Sequence, residues 1–226
     1  MEAEVGASGP SGEPVSEPPI PSIPARIADV AVPRDPISVA TWAWAQRRLP
    51  TYLLTHSVRS YCWGSEIARL KGLEFEPPIL WAAALIHDIG LTQVSRNERC
   101  FEFQGGAIAR RFLASQGMAT AAADRVGRAI ELHMAPSVTL ADGTESVLLD
   151  RATGLDVRGA GYDLVGRVRP GVVTAFPRGP FDRHFLAAIA REVEARPGCQ
   201  SERLLRQGDL ATAMARSPWV TRGRPD

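Results

Sequence analysis

The run PPILWAAALIHDIG, residues 77–90, constrains the fold of this chain more than any other stretch. Pro77 and Pro78 suit a first helical turn, where the N–H that proline lacks has no intrahelical partner anyway. The residues that follow are apolar on every side. A helix apolar all round has to be enclosed by other elements, and this one falls well short of the roughly 18 residues of a membrane span. It belongs in a globular core. Yet it closes on His87 and Asp88, an imidazole beside a carboxylate, followed by Gly90, where the helix is expected to stop. An ionised Asp88 is costly in such company unless something pairs with it.

The surrounding sequence supplies the enclosure as helix after helix. PISVATWAWAQRRL opens on Pro36 and Ser38 and offers Val39, Trp42, Trp44 and Leu49 for burial. TYLLTHSVRSYCWGSEIARLKG carries an apolar stripe of helical period at Leu54, Val58, Tyr61, Cys62 and Ala68, with Gly72 placed to cap it. CFEFQGGAIARRFLASQG and TAAADRVGRAIELHM predict two more helices, punctuated by Gly117 and Pro136. ESVLLDRATGLDVRG predicts a short helix with Gly154 near its end, residues 158–180 read as irregular, and FDRHFLAAIAREVEARPG and SERLLRQGDLATAMARS complete the set. No run of alternating β-branched residues with hairpin turns interrupts them. The fold class expected is all-α, an orthogonally packed single domain over residues 34–216 with a C-terminal tail at 217–226. Residues 1–33 are crowded with Pro, Gly, Ser and Glu and are expected to form a disordered tail, since such a composition cannot offset its ordering entropy by burial.

Charge and cysteine usage exclude several classes. The 226-residue chain has a formal net charge of +1, which gives no electrostatic argument for nucleic acid or an anionic membrane as a partner. Lys71 is its only lysine. Cys62, Cys100 and Cys199 are odd in number and widely spaced, so neither a disulfide framework nor a thiolate zinc site is expected. With no signal-peptide pattern and no span-length apolar run, a cytoplasmic location is the default expectation.

Four histidines are available, and His56, His87 and His133 fall in the most apolar part of the chain. The end of a helix leaves carbonyls unsatisfied and carries the negative end of the dipole, so it favours a cation. A divalent metal is a common partner for a buried carboxylate and a neutral imidazole. The helix ending at His87 and Asp88 is therefore expected to end at a metal. His184, in FDRHF, has no motif partner and reads as structural.

A histidine about thirty residues before an HD doublet, with a distant aspartate after it, resembles the HD-domain superfamily of metal-dependent hydrolases. The blocks HSVRSY (56–61), ALIHDIGLT (84–92), RCFEFQGGAIARRFL (99–113), IELHM (130–134) and GLDVRG (154–159) resemble those of cyanamide hydratase-like HD proteins, across roughly residues 38–215. The resemblance implies one divalent metal ion, zinc or iron, held by His56, His87, Asp88 and Asp156. Asp150 and Asp163 are the alternatives for the last ligand. It also implies catalytic roles for Asp88, which would orient water, and for His133, which would transfer a proton and touch substrate unless it only hydrogen-bonds within its own helix. Glu102, Phe103 and Trp63 are candidates for substrate contact, with helix-start or core roles as the alternative, and Arg59 reads as the structural partner of a carboxylate.

Departures from other branches narrow the expectation. Leu91 follows the HD-x-G glycine, where phosphate-handling branches often carry a lysine, and no longer histidine-rich motif extends the doublet. The resemblance thus implies a metal-dependent hydro-lyase or hydrolase, a hydratase of small nitrile-like molecules with cyanamide to urea as the reference reaction. The alternatives are an HD-domain phosphohydrolase of nucleotides or other phosphoesters, and a non-catalytic metal-binding sensor domain. Expected partners are a small-molecule substrate but neither nucleic acid nor membrane, with self-association into a homo-oligomer left open.

Overall fold

The computed structural model describes residues 23–92, 99–207 and 209–221, and over them the chain is built almost wholly of helices. Helix α1 (Pro36–Gln46) starts on Asp35, whose carboxylate accepts from the Ser38 backbone N–H at 3.0 Å, the interaction expected of a good N-cap. Helix α2 (Thr51–Lys71) ends at Gly72 with φ 63°, a left-handed cap that glycine adopts without a Cβ penalty. Helix α3 (Pro77–Ile86) is the hub. Every residue from Ile79 to Ile86 is buried, and α1, α2, α4 (Phe101–Ser115), α5 (Thr120–Leu132) and α6 (Thr144–Arg158) all pack against it. The chain continues through α7 (Arg169–Ala175), α8 (Phe181–Ala195), α9 (Gln200–Glu202), a π-helical turn (Arg203–Gln207), α10 (Leu210–Ala215) and α11 (Pro218–Thr221).

Several expectations about boundaries give way. The α-helix of the HD doublet stops at Ile86, with His87 as its cap, and the chain continues as a 3-10 turn over Ile89–Thr92. Gly90 is needed for a different reason than helix termination: a Cβ there would stand 2.2 Å from the Phe101 carbonyl oxygen. Helix α6 runs through Gly154 to Arg158, because its apolar face is covered by α2 and α5. Residues 158–180 contain a 3-10 turn (Tyr162–Val165) and α7, organised around the buried Val165, Val168 and Val172.

The tail boundaries also move. Residues 1–22 and 222–226 lie outside the described residues, but 23–33 do not belong to a tail. Two-residue strands β1 (Arg26–Ile27) and β2 (Val30–Ala31) pair antiparallel. Ile23, Ile27, Val30 and Val32 are buried there, and the Tyr61 hydroxyl donates to the Ala31 carbonyl at 2.8 Å. At the other end, the Trp219 indole N–H donates to the Leu155 carbonyl at 2.8 Å and its ring stacks on Trp63, so 217–221 pack on the domain. The cysteine expectation is corrected too. Cys100 and Cys199 form a disulfide with Cα atoms 5.6 Å apart, tying the start of α4 to the start of α9, while Cys62 is free and buried.

Candidate metal centre

Three helices deliver three imidazoles to one point, and each ring is held by its Nδ1. On α3 the His87 Nδ1–H donates to the Ala84 carbonyl at 2.7 Å, and at the end of α5 the His133 Nδ1–H donates to the Ile130 carbonyl at 2.6 Å. Both acceptors are last-turn carbonyls, and that of Ile130 also takes the His133 backbone N–H at 3.5 Å. On α2 the His56 Nδ1–H donates to Asp156 Oδ2 at 2.7 Å. These acceptors assign the tautomer in all three rings and leave each Nε2 with a lone pair.

The lone pairs converge where no donor stands. His56 Nε2 and His87 Nε2 lie 3.2 Å apart. Asp88 Oδ2 is 3.1 Å from the second and 3.7 Å from the first, yet it is buried and accepts no hydrogen bond. Acceptors that face one another in a buried site are an arrangement that a cation satisfies. One donor atom from each of His56, His87 and Asp88 lies within 4.8 Å of the others, a compact set that can hold a divalent metal. The C-termini of α3 and α5 add their negative dipole ends at the same place. The donor set therefore fits a metal, as the sequence requires of a buried HD doublet.

Electrostatics within the site favour an anionic Asp88 and the neutral form of His56 and His133. Burial resists ionisation of Asp88, but His87 first, then His56 and His133, bring its carboxyl down to about 2. Burial lowers His56 despite the opposing pull of Asp156, and burial followed by the charge of His87 brings His133 down to about 4. Burial works against a charge on His87, but Asp88, the Ala84 carbonyl and Asp156 together outweigh it and raise the ring. His133 Nε2 stands 3.9 Å from Asp88 Oδ1, beside the ligand group and outside it.

Asp156, the fourth member of the expected set, lies outside this compact group of donors. Its two oxygens are committed elsewhere. Oδ1 accepts from Arg59 Nε at 2.9 Å and Trp63 Nε1 at 2.8 Å, while Oδ2 accepts from Arg59 Nη2 and His56 Nδ1, both at 2.7 Å. Arg178 Nη1 adds a contact to Oδ2 at 3.3 Å. His56, Arg59 and Trp63 sit at spacings of three and four on one face of α2, so a single carboxylate on α6 receives all three. Burial alone would raise the Asp156 carboxyl, and the charges of Arg59 and Arg178 hold it well below the ordinary range instead. A carboxylate on the far nitrogen of a metal-binding histidine orients the ring and raises its basicity. Arg59 is the structural partner of a carboxylate, as its sequence position suggested, and it is fully buried. The alternatives for a fourth ligand, Asp150 and Asp163, also lie outside the group.

A cavity of about 310 Å³ opens on the three imidazoles. Among the residues expected to touch substrate, only His133 lines it. Trp63 is fully buried against Asp156 and Trp219, and Phe103 points outward at 44% exposure from the opposite face of α4. Glu102 is buried away from the cavity with neither carboxylate oxygen hydrogen-bonded, and burial pushes it up to about 7. His184 stacks on Tyr52, apart from the site. The residues that sequence reasoning missed come from segments without a motif: Phe181 stacks on His56 at 4.8 Å between ring centroids, Phe185 lines the cavity, and Arg178 braces Asp156. Asp150, Arg158 and Arg203 complete the charged part of the wall.

No helix among the described residues is long and apolar enough to cross a membrane. Comparison with curated proteins finds no match to this chain. Residues 53–158, from the first turn of α2 to the end of α6, match the family model described as HD domain, and that span contains every ligand of the candidate centre. The match supports the HD-domain superfamily for this part of the chain.

Proposed function

We propose that the chain is a metal-dependent hydratase that adds water across a small nitrile-like group, with cyanamide to urea as the reference reaction. The observation that carries this reading is His133: its Nε2 faces the cavity beside a compact, mononuclear ligand group, with Nδ1 already committed to the Ile130 carbonyl. A divalent ion held by His56, His87 and Asp88 would supply Lewis acidity and bring a water to a near-neutral pKa. His133 Nε2 accepts the proton that leaves the attacking water and returns it to the nitrile nitrogen, so that one water is consumed and no other group leaves. Asp88 orients the water, and Asp156 keeps the His56 ring turned inward. The buried walls of Phe181 and Phe185 exclude bulk water from the floor.

A second reading, hydrolysis of a phosphoester, is favoured by the presence of Arg158 and Arg203 on the cavity wall. Metal-loaded protein assayed in parallel for urea from cyanamide, amide from small nitriles, and phosphate from nucleotides and simple phosphoesters separates the two. Metal-dependent urea or amide formation without comparable phosphate release is the expected result. Phosphate release with nitriles untouched replaces the hydratase by the phosphohydrolase.

A further inference from the structure

The mouth of the cavity carries charges that the water-addition chemistry leaves unused. His56, His87 and His133 form a floor at 1–6% exposure, whereas Asp150 and Arg203 are half-buried and Arg158 is exposed, so the three charged residues lie outward of the rings. None of the three forms an ion pair among the described residues. Arg203 is nevertheless held in place. Its Nε donates to Gln200 Oε1 at 2.7 Å and its Nη2 to the Met134 carbonyl at 3.3 Å, one residue beyond His133, while Nη1 keeps both of its N–H groups. Arg203 also opens the π-helical turn Arg203–Gln207, a geometry frequent at functional sites. The disulfide at Cys199 pins the start of this segment. The cavity itself, about 310 Å³, has room for roughly ten waters at about 30 Å³ each, several times what a three-heavy-atom molecule such as cyanamide fills.

We propose that Arg203, assisted by Arg158, binds an anionic oxygen group of the substrate at the cavity mouth, with Asp150 accepting a hydrogen bond from a neighbouring donor. The substrate is then a small anion that reaches from this mouth to the imidazole floor, and neutral cyanamide is only its reacting fragment. This rests on the reading of the cavity as the substrate site. The test is calorimetric binding to the metal-loaded full chain, with 3-cyanopropionate, its uncharged counterpart butyronitrile, and inorganic phosphate as probes. Wild type is expected to bind 3-cyanopropionate at least about 10-fold more tightly than butyronitrile, the scale of one charge-assisted hydrogen bond. Arg203→Gln should bring that ratio close to one at unchanged metal content, and Asp150→Asn should raise it, since a repelling carboxylate is removed. Phosphate binding tighter than 3-cyanopropionate and equally dependent on Arg203 identifies the anion as a phosphate; the reverse order identifies a carboxylate. A wild-type ratio near one, a ratio insensitive to Arg203→Gln and Asp150→Asn, or failure of all three probes to bind overturns the proposal. A retained, Arg203-dependent ratio without amide formation overturns the hydratase reading and leaves the anion site standing.

Discussion

Asp156→Asn separates a ligand from a residue that holds a ligand. The substitution keeps the shape and removes the charge. Aspartate receives four hydrogen bonds, from Arg59 Nε, Arg59 Nη2, Trp63 Nε1 and His56 Nδ1, two on each oxygen. Asparagine offers one oxygen and one NH2, so whichever way the amide turns, two donors face a donor. Arg59, fully buried, is left without a full counter-charge. Breaking a buried pair from one side costs about 3–5 kcal/mol, which should appear as a lowered urea midpoint with an unchanged slope. The pH dependence has a definite sign. The folded Asp156 carboxyl is depressed, so its contribution is complete above the unfolded value of about 3.9 and is lost as pH falls through the folded value. The gap between wild type and variant is therefore flat near neutrality and closes only in acid. Metal affinity gives the second reading: loss of an orienting partner weakens binding by about 10–100-fold, whereas Asp88→Asn should abolish most of it. Competition with a chelator of known affinity measures both. Loss of metal in Asp156→Asn as complete as in Asp88→Asn, with stability intact, would make Asp156 a direct ligand and refute the geometry argued above.

Three other outcomes follow from particular contacts. Gly90→Ala forces a methyl to within 2.2 Å of the Phe101 backbone oxygen, two residues from Asp88, so stability should fall by about 1–3 kcal/mol or more and metal affinity with it; a wild-type melting temperature would contradict the close approach. His133→Ala should keep its metal and lose roughly 10²–10⁴-fold in turnover, and undiminished activity removes His133 from proton transfer. Without reductant, thiol titration of the denatured protein should find Cys62 alone, and Cys199→Ser should cost about 2–4 kcal/mol; three titratable thiols would dismiss the disulfide.

The parts of this structure legible in the sequence are those encoded over one or two helical turns. The apolar period of α2, the glycine at its end, and the incongruous His87–Asp88 at the close of an apolar helix each carry a local physical signal. The rest depends on contacts between distant segments. Which ring nitrogen of His56 meets Asp156 is set by the packing of α2 on α6, one hundred residues on, so sequence supplies the partners but not the order ligand-then-carboxylate. Cys100 and Cys199 are separated by 99 positions and carry no spacing motif. Composition hid the hairpin at 26–31, because Ile27 and Val30, with Ile23 and Val32 flanking them, are diluted among prolines and charges. Phe103 shows the converse: an aromatic that reads as core or as a pocket wall is turned to solvent by its position on α4.

The manner in which the three rings are held differs, and the difference has consequences for how the site could be adjusted. His87 and His133 are oriented by main-chain carbonyls of their own helices, which no side-chain substitution removes while the helices stand. His56 is oriented by a side chain, Asp156, whose charge is balanced by Arg59 and Arg178. Its basicity therefore depends on the strength of two ion pairs: weakening Arg178 would leave more negative charge on Asp156 and a more basic His56, whereas the other two rings would be unaffected. Arg178 comes from the chain just before α8, and its Nη2 also donates to Asp182 at 2.6 Å in the first turn of that helix. Phe181 and Phe185 of the same helix pack on the His56 ring. The start of α8 thus controls the position and the electronics of one ligand at once, through residues that carry no recognisable motif.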